Sequence, residues 1–280
     1  MQPGACIESS FFRLPHLSWL LAYFCMGAAV GVLAGLLGIG GGMTLVPVLA
    51  AMFAAQHFAP DHVVHMALAT SMASIIFTSA ASVREHWKLG GVDFAIVRRM
   101  VPGMVAGSLV ATMASSGIPQ RWLALAFVVI VYLGATQILF NRKPAAARTL
   151  PGPAPLFAVG IIIGVVCGLV SAGGAFLTIP FMLWCGVPMR TTVGTAAMIG
   201  IPVAVVGTAG YVFSGWQVAG LPAGTLGFIA LPALAGLVCG SMVTAPFGAR
   251  LAHRLPVVTI KRIFAGLLYV LATKMLLTYA

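Results

Sequence analysis

Apolar positions along this chain come in long unbroken blocks, not at the alternating spacing of a half-buried strand. Stretches without any Asp, Glu, Lys or Arg run over residues 14–60, 100–120, 149–189 and 191–249. A helix that crosses a hydrocarbon layer about 30 Å thick needs roughly 20 apolar residues. The blocks divide into ten apolar elements, five in each half: 17–37, 43–55, 63–83, 100–114 and 122–140, then 155–170, 175–184, 191–213, 221–247 and 263–279. The second element of each half is too short to cross comfortably. With its predecessor and the glycines between, it predicts a broken or re-entrant hairpin. Spanning helices satisfy their own backbone amides in lipid, and the period-two alternation of a transmembrane barrel is absent.

The halves repeat. Residues 31–47 read GVLAGLLGIGGGMTLVP and residues 164–180 read GVVCGLVSAGGAFLTIP. Gly31, Val32, Gly35, Leu36, Gly40, Gly41 and Pro47 recur as Gly164, Val165, Gly168, Leu169, Gly173, Gly174 and Pro180, a constant offset of 133. Thr70 aligns with Thr195, and Pro119, Tyr132 and Thr136 align with Pro256, Tyr269 and Thr273 at an offset of 137. Duplicated apolar halves, each interrupted by glycine and proline, mark a secondary transporter whose site lies between the halves.

Composition narrows the class further. Of 280 residues, 61% are hydrophobic and 7% charged, with a formal net charge of +11. The basic residues sit in short loops, where positive-inside topology accounts for them and a nucleic-acid partner is not needed. Residues 84–99 carry Arg84, Lys88, Arg98 and Arg99, whereas their counterpart 214–220 carries no basic residue. Loop 115–121 carries Arg121 alone, against Arg250, Arg254, Lys261 and Arg262 in its counterpart. Opposite biases in equivalent loops predict halves inserted in opposite orientations. The expected fold is therefore an all-α polytopic membrane protein of two inverted repeats, each a broken or re-entrant helical hairpin plus three transmembrane helices. The expected division is an N-terminal tail at 1–16, a first membrane repeat at 17–140, a cytoplasmic linker at 141–154 and a second membrane repeat at 155–280. Cys6, Cys25, Cys167, Cys185 and Cys239 lack metal-site spacing, and packing is the default role for the four in apolar segments.

The run GVLAGLLGIGGGMTLVPVL followed by ALATSMA and HWKLGGVDF, and then GLVSAGGAFLTIP followed by VGTAAMIGIPVAVVG, resembles the TauE/SafE sulfite-exporter family over roughly residues 18–278. The resemblance implies a membrane carrier of a small anion, its members being linked to sulfite, sulfonates, other organosulfur compounds and some small organic acids, and does not fix which anion. The expected substrate is sulfite, a sulfonate or a related organosulfur compound, and the expected location the bacterial cytoplasmic membrane. The second motif departs from the first at Ser171, Ala172 and Ala175, which stand where Gly38, Ile39 and Gly42 stand.

The candidate anion site follows from the glycines. Gly38, Gly40, Gly41 and Gly42 precede one short element, and Gly173 and Gly174 precede the other. Amides at a helix N-terminus attract an anion without a basic side chain, and glycine lets backbone approach closely. The plain alternative is that these glycines only allow close helix packing. Thr44, Thr70, Ser71, Thr178 and Thr195 could add neutral donors, although hydroxyls in membrane helices often bond back to their own carbonyls. Arg190 is the single charge between residues 149 and 249 and could grip an oxyanion in bidentate fashion, or simply mark a cytoplasmic loop. Glu8, Asp61, Glu85 and Asp93 all lie outside the apolar interiors, which leaves His65, Glu85 and His86 as proton-coupling candidates. The expected partners are the anion, the bilayer and a coupling ion, proton or sodium, with a homodimer as the oligomer considered. No cofactor and no metal is expected. His57, Asp61, His62 and His65 form a local cluster read as a solvated loop, and a membrane-embedded metal-dependent enzyme or an anion channel remain the alternative functions.

Overall fold

The computed structural model describes residues 16–37, 41–88, 91–140, 150–252 and 257–279. Among these it places α1 (His16–Leu37), α2 (Gly42–Ala55), α3 (Val63–Lys88), α4 (Phe94–Ala114) and α5 (Gln120–Phe140) in the first half. The second half has α6 (Pro153–Val170), α7 (Ala175–Trp184), α8 (Met189–Gly215), α9 (Leu231–Ala252) and α10 (Val257–Tyr279). Eight of the ten are long and apolar enough to cross a membrane. The chain is an all-α polytopic integral membrane protein. At 1.5 Å per residue, α2 and α7 reach only about 21 and 15 Å, short of the hydrocarbon thickness.

Several boundaries differ from the sequence expectation. Helix α3 runs on past residue 83, so Arg84 is helical, and α4 starts at Phe94, which brings Arg98 and Arg99 onto its exposed first turns. Asp93 explains that start: its Oδ1 accepts from the amides of Ala95 and Ile96 and caps the helix. Helix α10 starts at Val257, not at residue 263. The fourth apolar element of the second half does not begin at 221. Gly220, Gly224 and Gly227 have φ of 83°, 84° and 56°, and residues 225–230 form a small antiparallel hairpin, Thr225 opposite Ala230 and Leu226 opposite Ile229, before α9 begins. The tail at 1–15, most of the linker (141–149, with Arg142, Lys143 and Arg148), and Arg254 lie outside the described residues.

The halves interlock. The first helix of each packs on the fourth helix of the other, α1 on α9 and α6 on α4, and these are the most extensive helix contacts among the described residues. In lipid no hydrophobic drive brings helices together, so close backbone approach has to do it. Glycine seams provide that approach. A Cβ at Gly27 or Gly31 would lie 2.7 Å from the Cα of Leu237 or Ser241 on α9, and one at Gly164 would lie 2.7 Å from the Cα of Met104 on α4. Gly31 and Gly164, two of the duplicated columns, are therefore packing residues.

Two pairs of equivalent helices also meet each other. Gly207 of α8 faces Met72 of α3, and Gly200 faces Ser79; as one helix advances the other retreats, so α3 and α8 run antiparallel. At the α5–α10 contact, the Tyr132 hydroxyl lies 2.7 Å from Thr273 Oγ1. The equivalent Tyr269 hydroxyl meets Thr136 Oγ1, and the two tyrosine rings are 5.5 Å apart.

Candidate functional site

Each half breaks between its first and second helix through a left-handed residue. Gly41 (φ 71°) precedes α2 and Gly174 (φ 83°) precedes α7, conformations that cost an L side chain about 1–2 kcal/mol. Ser171, at φ 51°, takes the same region at the end of α6. Its hydroxyl is held by the carbonyl oxygen of Leu68 on α3 at 2.6 Å.

The breaks touch. A Cβ on Gly42 would collide with the carbonyl oxygen of Ser171, and would come 2.7 Å from Ile75 Cδ1. Ile75 also covers Gly173, 3.0 Å from where its Cβ would stand. From the other side, Gly200 of α8 comes so close to the Gly173 carbonyl that a Cβ there would lie 2.7 Å from the oxygen. Ile75 and Gly200 are repeat equivalents at the Thr70–Thr195 offset of 125. Gly41, Gly42, Ser171, Ala172, Gly173 and Gly174 are all buried. The junction thus lies inside the protein, where the antiparallel α3 and α8 both reach it, and none of these groups carries a charge.

The hydroxyls divide into two kinds. Thr44 donates to the Gly41 carbonyl at 2.8 Å and Thr178 to the Gly174 carbonyl at 2.6 Å, each turning back to the glycine that precedes its helix. Ser71 donates to the Gly42 carbonyl at 3.2 Å. Thr70 and Thr195 instead accept from across the repeats: Thr70 from the Ala230 amide at 3.0 Å, just ahead of α9, and Thr195 from the Asp93 amide at 2.9 Å, just ahead of α4. Their bonds are equivalent, and each fixes the entry of the other half's fourth helix.

Gly41, Gly42, Ser71, Gly173 and Gly174 are brought together. Arg190 is not with them: it is exposed at the start of α8, ten residues or about 15 Å of helix before Gly200. His65 is also apart, six residues or about 9 Å before Ser71. It is 3% exposed, and so is no part of a solvated loop. Gly38 and Gly40 lie outside the described residues, as do the side chains of Glu85 and His86, although residues 85 and 86 fall within α3. Among the described residues no group of three or more His, Cys, Asp or Glu could hold a metal ion.

Sequence reasoning missed Ile75, Gly200 and Tyr211, whose hydroxyl donates to the Gly168 carbonyl at 2.9 Å beneath the second break. For Gly200 the available signal was its equivalence to Ile75 under the Thr70–Thr195 alignment. A cavity of about 380 Å³ lies elsewhere, lined by Ala54, His57, Pro60, Val63, Gln120, Thr278 and Tyr279 at the far end of α2, about 18 Å of helix from Gly42.

An interlocked bundle of apolar helices with two interior breaks is the build of a polytopic membrane transporter, and the comparisons agree. The family profile for "Sulfite exporter TauE/SafE" matches residues 23–275, and the chain belongs to that family. It is 30% identical over 261 residues to a Haemophilus influenzae protein named "Probable membrane transporter protein", covering 93% of this chain and 99% of that one. A Bacillus subtilis relative, "Probable membrane transporter protein YdhB", is 28% identical over 83% of this chain and 90% of its own length. No solved structure matches the chain. The protein is a membrane transporter.

Proposed function

We propose that this transporter is a secondary carrier of a small anion, sulfite, a sulfonate or a related organosulfur compound, in the bacterial cytoplasmic membrane, and that the anion binds where the two breaks meet. The carrying observation is the contact of Gly42 with Ser171 between α3 and α8. It brings the starts of two short helices, α2 and α7, into one uncharged interior region. Helix N-termini present amides and the positive end of the dipole, which suits an anion without burying a counter-charge. The family's description names sulfite, which is the ground for the substrate class.

The same geometry supports alternating access. The antiparallel run of α3 and α8 supports repeats inserted in opposite orientations, and the mirrored loop charges agree. Rocking one half against the other would open the junction first to one side and then to the other. The buried breaks fit an occluded point in that cycle. Purified protein in liposomes should take up radiolabelled sulfite or a small sulfonate with saturation, and should exchange it in counterflow. Inert liposomes across these anions would remove the reading, and flux that never saturates would favour a channel.

A further inference from the structure

A second group of buried polar atoms sits at the start of α3, apart from the breaks. His65 Nε2 lies 3.0 Å from the Ser115 carbonyl oxygen and 3.2 Å from that of Ile118. Carbonyl oxygens only accept, so Nε2 carries the hydrogen and Nδ1 holds the lone pair of a neutral ring. That Nδ1 is buried without a partner, and so is Nδ1 of His62 three residues earlier. The two rings are 6.0 Å apart, and Phe228 covers both, at 5.1 Å from His65 and 5.8 Å from His62. An ordinary core histidine uses both ring nitrogens; these two each leave one idle, on neighbouring rings, under one aromatic face.

Resting on the carrier reading, we propose that His65 and His62 form the proton-binding site that couples this transporter to a pH gradient. A proton from water adds to the Nδ1 lone pair of His65, giving an imidazolium; no bond within the protein is broken. Nδ1 of His62 is the other buried ring nitrogen of this cluster that has no partner. The Nε2–H bonds to Ser115 and Ile118 become charge-assisted, and the Phe228 ring faces the cation. The N-terminal amides of α3 oppose the charge. His62 is the titratable group described in contact with His65. Asp61 on the same segment and Arg121 at the start of α5 are both exposed, and the hairpin contributes Phe228.

Phe228 carries the signal onward. It belongs to the hairpin whose Ala230 amide bonds Thr70, and a Cβ on Gly215 at the end of α8 would lie 2.8 Å from its ring. Charging His65 therefore alters a contact shared by α3, α8 and the entry to α9, which belong to both repeats.

The test uses the full protein in liposomes with an entrapped pH-sensitive dye and radiolabelled sulfite. Wild type should show counterflow, and should also accumulate sulfite against its gradient when a pH difference is imposed, with proton movement reported by the dye. His65→Gln, which keeps a donor toward the two carbonyls but does not titrate, should keep counterflow and lose roughly ten-fold of the pH-driven accumulation, an ordinary size for coupling between two sites. His62→Gln, at the less buried of the two positions, guards against a folding defect in the first variant and should lose in the same direction. Absence of counterflow in wild type would remove the carrier reading together with this one. Counterflow without proton movement, or proton-driven accumulation that both variants retain in full, would overturn the proton site alone.

Discussion

Gly42 and the carbonyl oxygen of Ser171 touch across the two halves of the chain, so closely that no Cβ fits at position 42. A residue at the start of α2 is thus fitted to the end of α6, 129 positions away by the numbering (171 − 42). The contact ties the two breaks into one junction, and the anion site depends on it.

Enlarging residue 42 should separate the breaks. Gly42→Val should cost about 1–3 kcal/mol as overpacking, read as a lower melting temperature in detergent, and should abolish uptake even where folded protein is recovered. Retained uptake would show that the junction need not close.

Replacing either cross-repeat threonine should weaken the entry to a fourth helix. Thr70→Val strands the buried Ala230 amide, about 1–3 kcal/mol by the cost of an unmade buried bond, and Thr195→Val strands the part-buried amide of Asp93, about 1 kcal/mol. In the α3–α8 register the two sites are about 21 Å of helix apart, so the double variant should lose the sum to within about 0.5 kcal/mol. Thermal unfolding of the three variants measures this.

The tyrosine pair should behave in the opposite way. Tyr132→Phe and Tyr269→Phe each remove one of two equivalent hydroxyl bonds between α5 and α10, about 1 kcal/mol apiece. Their rings are in contact, so the double variant should depart from additivity by about 0.5 kcal/mol or more.

The seam glycines should fail in folding before function. Gly31→Ile and Gly164→Ile would push α1 from α9 and α6 from α4, and membrane-integrated protein should fall steeply in both. Normal yield with lost transport would place these glycines at the substrate instead.

Much of this architecture was legible from block length and duplication. The short second elements were found almost to the residue, because Gly41 and Gly174 end one apolar run and start another. Thr70 with Thr195, Tyr132 with Tyr269 and Thr136 with Thr273 stood out as repeat pairs. The structure uses the two members of each pair in the same way, the threonines at 70 and 195 on backbone amides and the others in tyrosine–threonine bonds. The start of α9 was misplaced because Leu221, Pro222 and Phe228 are apolar enough to extend a helix by composition, whereas the left-handed glycines at 220, 224 and 227 fold a hairpin there. The solvated-loop reading of His65 fails because a one-dimensional cluster with Asp61 hides its tertiary cover: Phe228, 163 positions away (228 − 65), stacks on its ring, and the Ser115 and Ile118 carbonyls bond it. Within the repeated motif, packing glycines such as Gly31 and break glycines such as Gly41 look alike until their neighbours are known.

Equilibrium binding of sulfite to the detergent-purified protein is the most direct measure of whether the joined breaks hold the anion. Titration calorimetry should give saturable binding to wild type, with a loss of about ten-fold or more, roughly 1.4 kcal/mol, in both Gly42→Val and Gly174→Ala where these remain folded. Sulfite binding at wild-type affinity in both folded variants would contradict the account.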